Sequence, residues 1–196
     1  MAEGKVEVGK AIGYGWENVK KEFWYFVGLA FVVVVISGIG NSRDIDSGIR
    51  NIIGLLLSAW MTAGYMKILL SYYDGKKLPF GELFKQLRYF WRVLGLTLLL
   101  GLVIGIGFIL FVIPGIYLAL RYQFALNFII DKDLGIFEAM NESAKITKGV
   151  KLSLFWFMLA VLGVLILGVL VLGVGIFVAI PVVWLADVYL YKQLSK

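Results

Sequence analysis

Between Leu152 and Tyr191 the chain runs for forty residues with a single charge, Asp187. A bilayer hydrocarbon core of ~30 Å is crossed by about 20 apolar helical residues, so this stretch predicts two spans. Val93 to Ile130 repeats the case with Arg121 as its one charge, and Pro114-Gly115 marks a turn between spans over Val93–Ile113 and Pro114–Ile130. Phe23–Gly40 carries no charge and Ile52–Tyr73 carries only Lys67, which brings the expectation to six. The last turn has two candidate places: Gly173-Val174-Gly175 with Pro181 kinking the sixth helix, or Pro181 opening that helix. Composition agrees, being 61% hydrophobic and 16% charged where soluble domains are about half apolar and a quarter charged. The expected fold is an all-α polytopic membrane protein, one integral domain over residues 1–196. Lys20-Lys21 before the first run and Gly38-Ile39-Gly40 after it imitate a signal peptide, but an h-region has ~7–15 residues and this run is longer and late, so the span is expected to be retained.

The same sequence narrows the chemistry. With no His and no Cys, it lacks the usual zinc ligands, an imidazole base and a thiol nucleophile. Asp44 and Asp46, Asp131 and Asp133, and Glu138 and Glu142 fall in loops or interfacial segments, where acid–base work would need positioned partners. No catalytic residue, cofactor or metal is expected, and the chain is read as a non-enzyme. Its net charge of +6 is scattered among acidic residues, which argues against a nucleic-acid partner.

That charge is directional. Six spans put both termini and the loops between spans 2 and 3 and between spans 4 and 5 on one side. Fifteen of the nineteen Lys and Arg fall there, against Arg43 and Arg50 on the other side, with Lys67 and Arg121 inside spans. Such asymmetry predicts cytoplasmic termini in the inner membrane. Its basic face would attract anionic headgroups at ~1 kcal/mol per residue close to the surface. Expected partners are membrane lipids and a membrane protein or second copy.

An amphipathic segment precedes each pair of spans. Val8, Ala11, Ile12, Trp16 and Val19 keep a helical period, as do Phe80, Leu83, Phe84, Leu87, Phe90 and Trp91; Phe137, Met140 and Ala144 do so more weakly. Each reads as a cytoplasmic interfacial helix followed by a membrane hairpin. The chain thus divides into three units, 6–73, 78–130 and 134–191, with Ile113-Pro114 and Ile180-Pro181 as the best local match.

Charges inside spans are the candidate functional residues, since a central one costs ~2.5–3.5 kcal/mol on insertion. Lys67, about 9 Å from its span end by helix rise, can snorkel, and Asp187 is near the same face. Arg121, about 10 and 15 Å from its two ends, needs a carboxylate, carbonyl, water or lipid phosphate. It could pair with Asp187 as a structural ion pair, or serve an anionic ligand with Tyr117 one turn away; Lys67 with Asp187 is the alternative pair. Gln123 and Asn127 share a face roughly opposite Arg121 and suit hydrogen bonds to a neighbouring helix. Gly101 and Gly105 have the small-xxx-small spacing of close helix approach. Tyr72, Tyr73, Tyr89, Trp91, Trp156 and Tyr191 read as interface anchors.

The stretches GYMKILLSYYDGKKLPFGELFKQLRYFW and FVIPGIYLALRYQFALNFIIDKDLGIFEAMNESAKITKG resemble uncharacterised prokaryotic six-span membrane proteins. Those are related to the glycerophosphoryl diester phosphodiesterase membrane domain and to YciC-like proteins. The carrying features are Asp74-Gly75-Lys76, Ile113-Pro114-Gly115, and Asp131 followed by Phe137-Glu138-Ala139 and Ser143 to Lys148-Gly149. The resemblance implies an integral inner-membrane protein without a settled activity; the phosphodiesterase of fused relatives is not carried over. Two roles follow as expectations: a non-enzymatic protein acting through lipid or protein contacts at the inner leaflet, or a small-solute or lipid-like transporter with a site at the repeat interface around Arg121.

Overall fold

A computed structural model describes residues 6–39, 47–171 and 175–196. Lys5, Gly40, Arg43, Asp44, Asp46, Gly173 and Val174 lie outside the described residues. The chain is all-helical, with no strand among the described residues. Helix α1 spans Val8–Lys21, α2 Phe23–Ile39 and α3 Ser47–Tyr73; a 3-10 turn over Phe80–Phe84 leads to α4 over Leu87–Leu110. Then come α5 (Val112–Tyr122), α6 (Ala125–Lys132), α7 (Ile136–Ile146), α8 (Lys151–Leu170) and α9 (Ile176–Leu194). Five stretches are long and apolar enough to cross a membrane, α5 and α6 counting together, and α2 is a shorter apolar helix. These are the segments of a multi-pass membrane protein.

Burial is polarised along the helices. Met61 and Leu69 of α3, Phe124 and Ile129 at the start of α6 and within it, and Leu185 and Tyr191 of α9 are fully enclosed. The ends of α4 and α8 and the start of α5 are bare: Ile109 is 85% exposed, Ile113 80% and Leu170 72%. Contiguous apolar surface of this kind has no stable place in water and suits hydrocarbon.

Two of the hairpin tips, α4–α5 and α8–α9, bring glycines together. The α4–α5 turn is the single extended residue Phe111 (φ −163°, ψ 152°). A Cβ on Gly107 would lie 3.0 Å from the Gly115 Cα, and one on Gly115 would strike the Phe108 ring at 2.5 Å. At the α8–α9 tip, a Cβ on Gly175 would meet the Gly168 carbonyl at 2.6 Å. Gly101 and Gly105, expected to provide that approach, face open space instead. Their spacing permits contact, but no helix among the described residues lies against that stripe.

Several boundaries differ from the sequence expectation. The turn at Phe111 places Ile113 and Pro114 in the first turn of α5, where a missing N–H breaks no helical bond. Pro181 lies inside α9, five residues past its start, so that helix begins before the proline. Pro114 and Pro181 therefore hold different places in their helices. The amphipathic helix expected from Phe80 to Trp91 is a five-residue 3-10 turn, and Leu87, Phe90 and Trp91 belong to α4. Tyr89 and Tyr191, expected at the membrane interface, are 5% and 0% exposed, whereas Trp91 and Trp156 are largely bare.

The segment ahead of each hairpin packs on an earlier or closing helix. Helix α1 lies on α9, where a Cβ on Gly15 would collide with the Val182 carbonyl at 2.2 Å. The 3-10 turn runs back along α3: the Leu83 carbonyl faces Gly64, and Trp60 Nε1 donates to the Phe84 carbonyl at 3.3 Å. Helix α7 turns back along α6 from Asp133, whose φ of 56° is left-handed, a conformation that Asp tolerates better than most residues. Gly135 and Glu138 then start α7, the Glu138 carboxylate accepting the Gly135 N–H at 3.0 Å.

Candidate functional site

The fourth span is broken where the sequence shows neither Gly nor Pro. Helix α5 ends at Tyr122 and α6 begins at Ala125. The backbone groups released there are taken by α7. The Ser143 hydroxyl accepts the Phe124 N–H at 3.2 Å and donates to the Arg121 carbonyl at 3.0 Å, and Thr147 Oγ1 reaches that carbonyl at 3.3 Å. Ser143 and Thr147 are both fully buried. Irregular backbone inside a membrane protein persists when neighbouring Ser or Thr side chains satisfy it in this way.

Charged groups close the adjoining end of the core. Lys192 Nζ lies 3.1 Å from Asp74 and 3.0 Å from Asp131, and the Tyr191 hydroxyl donates to Asp131 at 2.9 Å. Arg88 and Arg92 hold Asp133 at 2.5 Å each. In the sequence these cations stand out only as topology signals.

The candidate residues separate into two places. Asp187, Asn127 and Gln123 come together, lining a cavity of about 280 Å³ with Met66, Phe157 and Trp184. Asn127 Nδ2 donates to Asp187 Oδ2 at 3.0 Å. Asn127 is 1% exposed, yet its Oδ1 and the buried Gln123 Nε2 have no hydrogen-bond partner among the described residues.

Arg121 is elsewhere. No ion pair among the described residues joins Arg121, Lys67 or Asp187 to an opposite charge. The Arg121 guanidinium stacks 5.4 Å from the Tyr122 ring and lies near the Tyr117 hydroxyl. Lys151, at the start of α8, donates to that hydroxyl at 2.7 Å and stands 3.9 Å from the ring centroid. One cation thus binds a half-exposed phenol and a second lies near it, beside the bare Leu152 and Trp156. The sequence singles out Arg121 and Tyr117 but not Lys151, which lies thirty residues past Arg121 and outside the apolar run.

Residues 106–196 match a family described as protein of unknown function, DUF975. The matched segment runs from the end of α4 through α9 and holds the broken span, most of the cavity and the Arg121 cluster. Uncharacterised proteins of Mycobacterium bovis and Mycobacterium tuberculosis are each 34% identical over 146 residues, 71% of this chain and 42% of theirs. The chain therefore spans less than half the length of the curated relatives it matches. No solved structure matches it. These comparisons set the chain beside proteins without an assigned function, and none supports the kinship with the phosphodiesterase membrane domain or the YciC-like proteins.

Proposed function

We propose that this chain is a non-enzymatic protein of the cytoplasmic membrane that works through lipid contacts at the inner leaflet, centred on Arg121, Tyr117 and Lys151. The observation that carries the reading is Lys151 held on the Tyr117 phenol with the Arg121 guanidinium near it, no ion pair joining either cation to a carboxylate among the described residues, and exposed apolar side chains on α8 beside them. A lipid phosphate supplies the missing negative charge and its acyl chain covers Leu152 and Trp156. The one-sided distribution of Lys and Arg supports cytoplasmic termini, and a periplasmic reporter active after Lys196 would refute that orientation.

Three-unit organisation is part of the proposal. Asp74, Asp131 and Lys192, which meet in one cluster, follow the apolar runs of the three units. Ten residues before each stand Gly64, Arg121 and Val182, and each of these is the residue met by a leading segment: the 3-10 turn, α7 and α1 respectively. That register supports a repeat better than the two prolines do.

The test of the lipid contact is quenching of Trp156 fluorescence by brominated lipid in reconstituted vesicles. Brominated phosphatidylglycerol is expected to quench more strongly than brominated phosphatidylcholine, and Arg121→Ala with Lys151→Ala to erase the difference. A Trp156→Phe control isolates the signal. Equal quenching by both lipids in the unaltered protein counts against the site.

A further inference from the structure

The cavity between α3, α6, α8 and α9 has a chemistry of its own. Its polar groups are Asp187, Asn127 and Gln123, with Met66, Phe157 and Trp184 among its apolar lining. In the three-unit register, the counterparts of Asp187 are Leu69 and Leu126, those of Asn127 are Leu70 and Val188, and those of Gln123 are Met66 and Trp184. All six are apolar. Packing of the core is thus met twice by hydrocarbon at each place, and the polar trio is an addition that the repeat does not require.

A carboxylate among apolar side chains needs a proton or a cation to remain there. None of the ion pairs among the described residues supplies a cation to Asp187, whose Oδ2 accepts from Asn127. Asn127 turns its free Oδ1, an acceptor, from a side chain that is 1% exposed. Two acceptor groups lie beside an aromatic lining, and cations are attracted to aromatic faces. Gln123 Nε2 adds one unpaired donor. A volume of about 280 Å³ suits a small ligand.

We propose that this cavity binds an apolar amine, its ammonium group held by Asp187 and Asn127 and its skeleton packed against Phe157, Met158 and Trp184. Gln123 is placed to donate to an oxygen on the same ligand. Arg121 and Lys151 do not line the cavity, so the site is independent of the lipid contact proposed above. The ammonium can belong to a free amine or to an ethanolamine headgroup, which share this chemistry.

The experiment uses the full chain in neutral detergent, titrated with 1-naphthylmethylamine and with its uncharged counterpart 1-naphthylmethanol, and followed by calorimetry. The amine is expected to bind at least tenfold more tightly than the alcohol, and Asp187→Asn to remove that preference. Equal binding of the two probes, no binding of the amine, or unchanged preference in Asp187→Asn overturns the proposal. Should Asp187→Asn not fold, Met158→Trp fills the cavity while keeping the carboxylate. Loss of amine binding is then expected, and retained binding overturns the site. Repeating the titration in nanodiscs with and without phosphatidylethanolamine identifies the source: competition by the lipid points to the headgroup, its absence to a free amine.

Discussion

Lys192 bridges Asp74 and Asp131 at 3.1 and 3.0 Å, so one cation ties the ends of α3, α6 and α9. Lys192 and Asp131 are largely enclosed, at 16% and 18% side-chain exposure. Truncation to Lys192→Met leaves two carboxylates facing each other without a counter-ion. The loss should be about 2–3 kcal/mol, below the 3–5 of a fully buried pair because some water reaches it. Thermal unfolding in detergent measures this, and Asp131→Asn added to Lys192→Met should recover part of the loss. A double variant less stable than the single one would show that the bridge does not carry the effect.

Ser143→Ala removes the acceptor for the Phe124 N–H and the closest hydroxyl donor to the Arg121 carbonyl. A buried backbone group left unpaired costs about 1–3 kcal/mol. Ser143→Thr keeps the hydroxyl and should lose less if the extra methyl is accommodated. Amide hydrogen exchange at residues 121–125 is expected to quicken in Ser143→Ala and not at the α8–α9 tip.

Glycine substitutions separate close contact from mere spacing. Gly115→Ala drives a Cβ into the Phe108 ring and should destabilise by about 1–3 kcal/mol, as overpacking does. Gly101→Ala meets nothing within 4 Å and should change stability by less than about 1 kcal/mol, the scale of helix propensity. Comparable melting shifts for the two would contradict the tip geometry.

Tyr14 on α1 packs against Tyr73 and Tyr189, and burial pushes its phenol up to about 12. An unfolded tyrosine ionises near ~10, so the folded state favours the neutral phenol. The stability this confers is complete below pH ~10 and is lost as the pH rises toward about 12. Tyr14→Phe should therefore show a shallower fall in melting temperature over that window than the unaltered protein.

The apolar segments were legible because bilayer thickness sets a length that α3, α4, α8 and α9 must meet. The break at Gln123–Phe124 was not, because no local Gly or Pro causes it; its bonds come from Ser143 and Thr147, some twenty residues on. Proximity was equally hidden. Asp187 looked like a partner for Arg121 because both are charges in spans, but side-chain direction sent Asp187 to Asn127 and Arg121 toward Tyr117 and Tyr122. The second cation at Tyr117, Lys151, was masked by its place among ordinary interfacial lysines.

The most direct measurement of the lipid reading is native mass spectrometry of the full chain released from nanodiscs of mixed phosphatidylglycerol and phosphatidylcholine. The unaltered protein should keep phosphatidylglycerol in preference to phosphatidylcholine, and Arg121→Ala combined with Lys151→Ala should lose that preference while Lys67→Ala keeps it. Equal retention of the two lipids by the unaltered protein, or an undiminished preference in the double variant, would contradict the account.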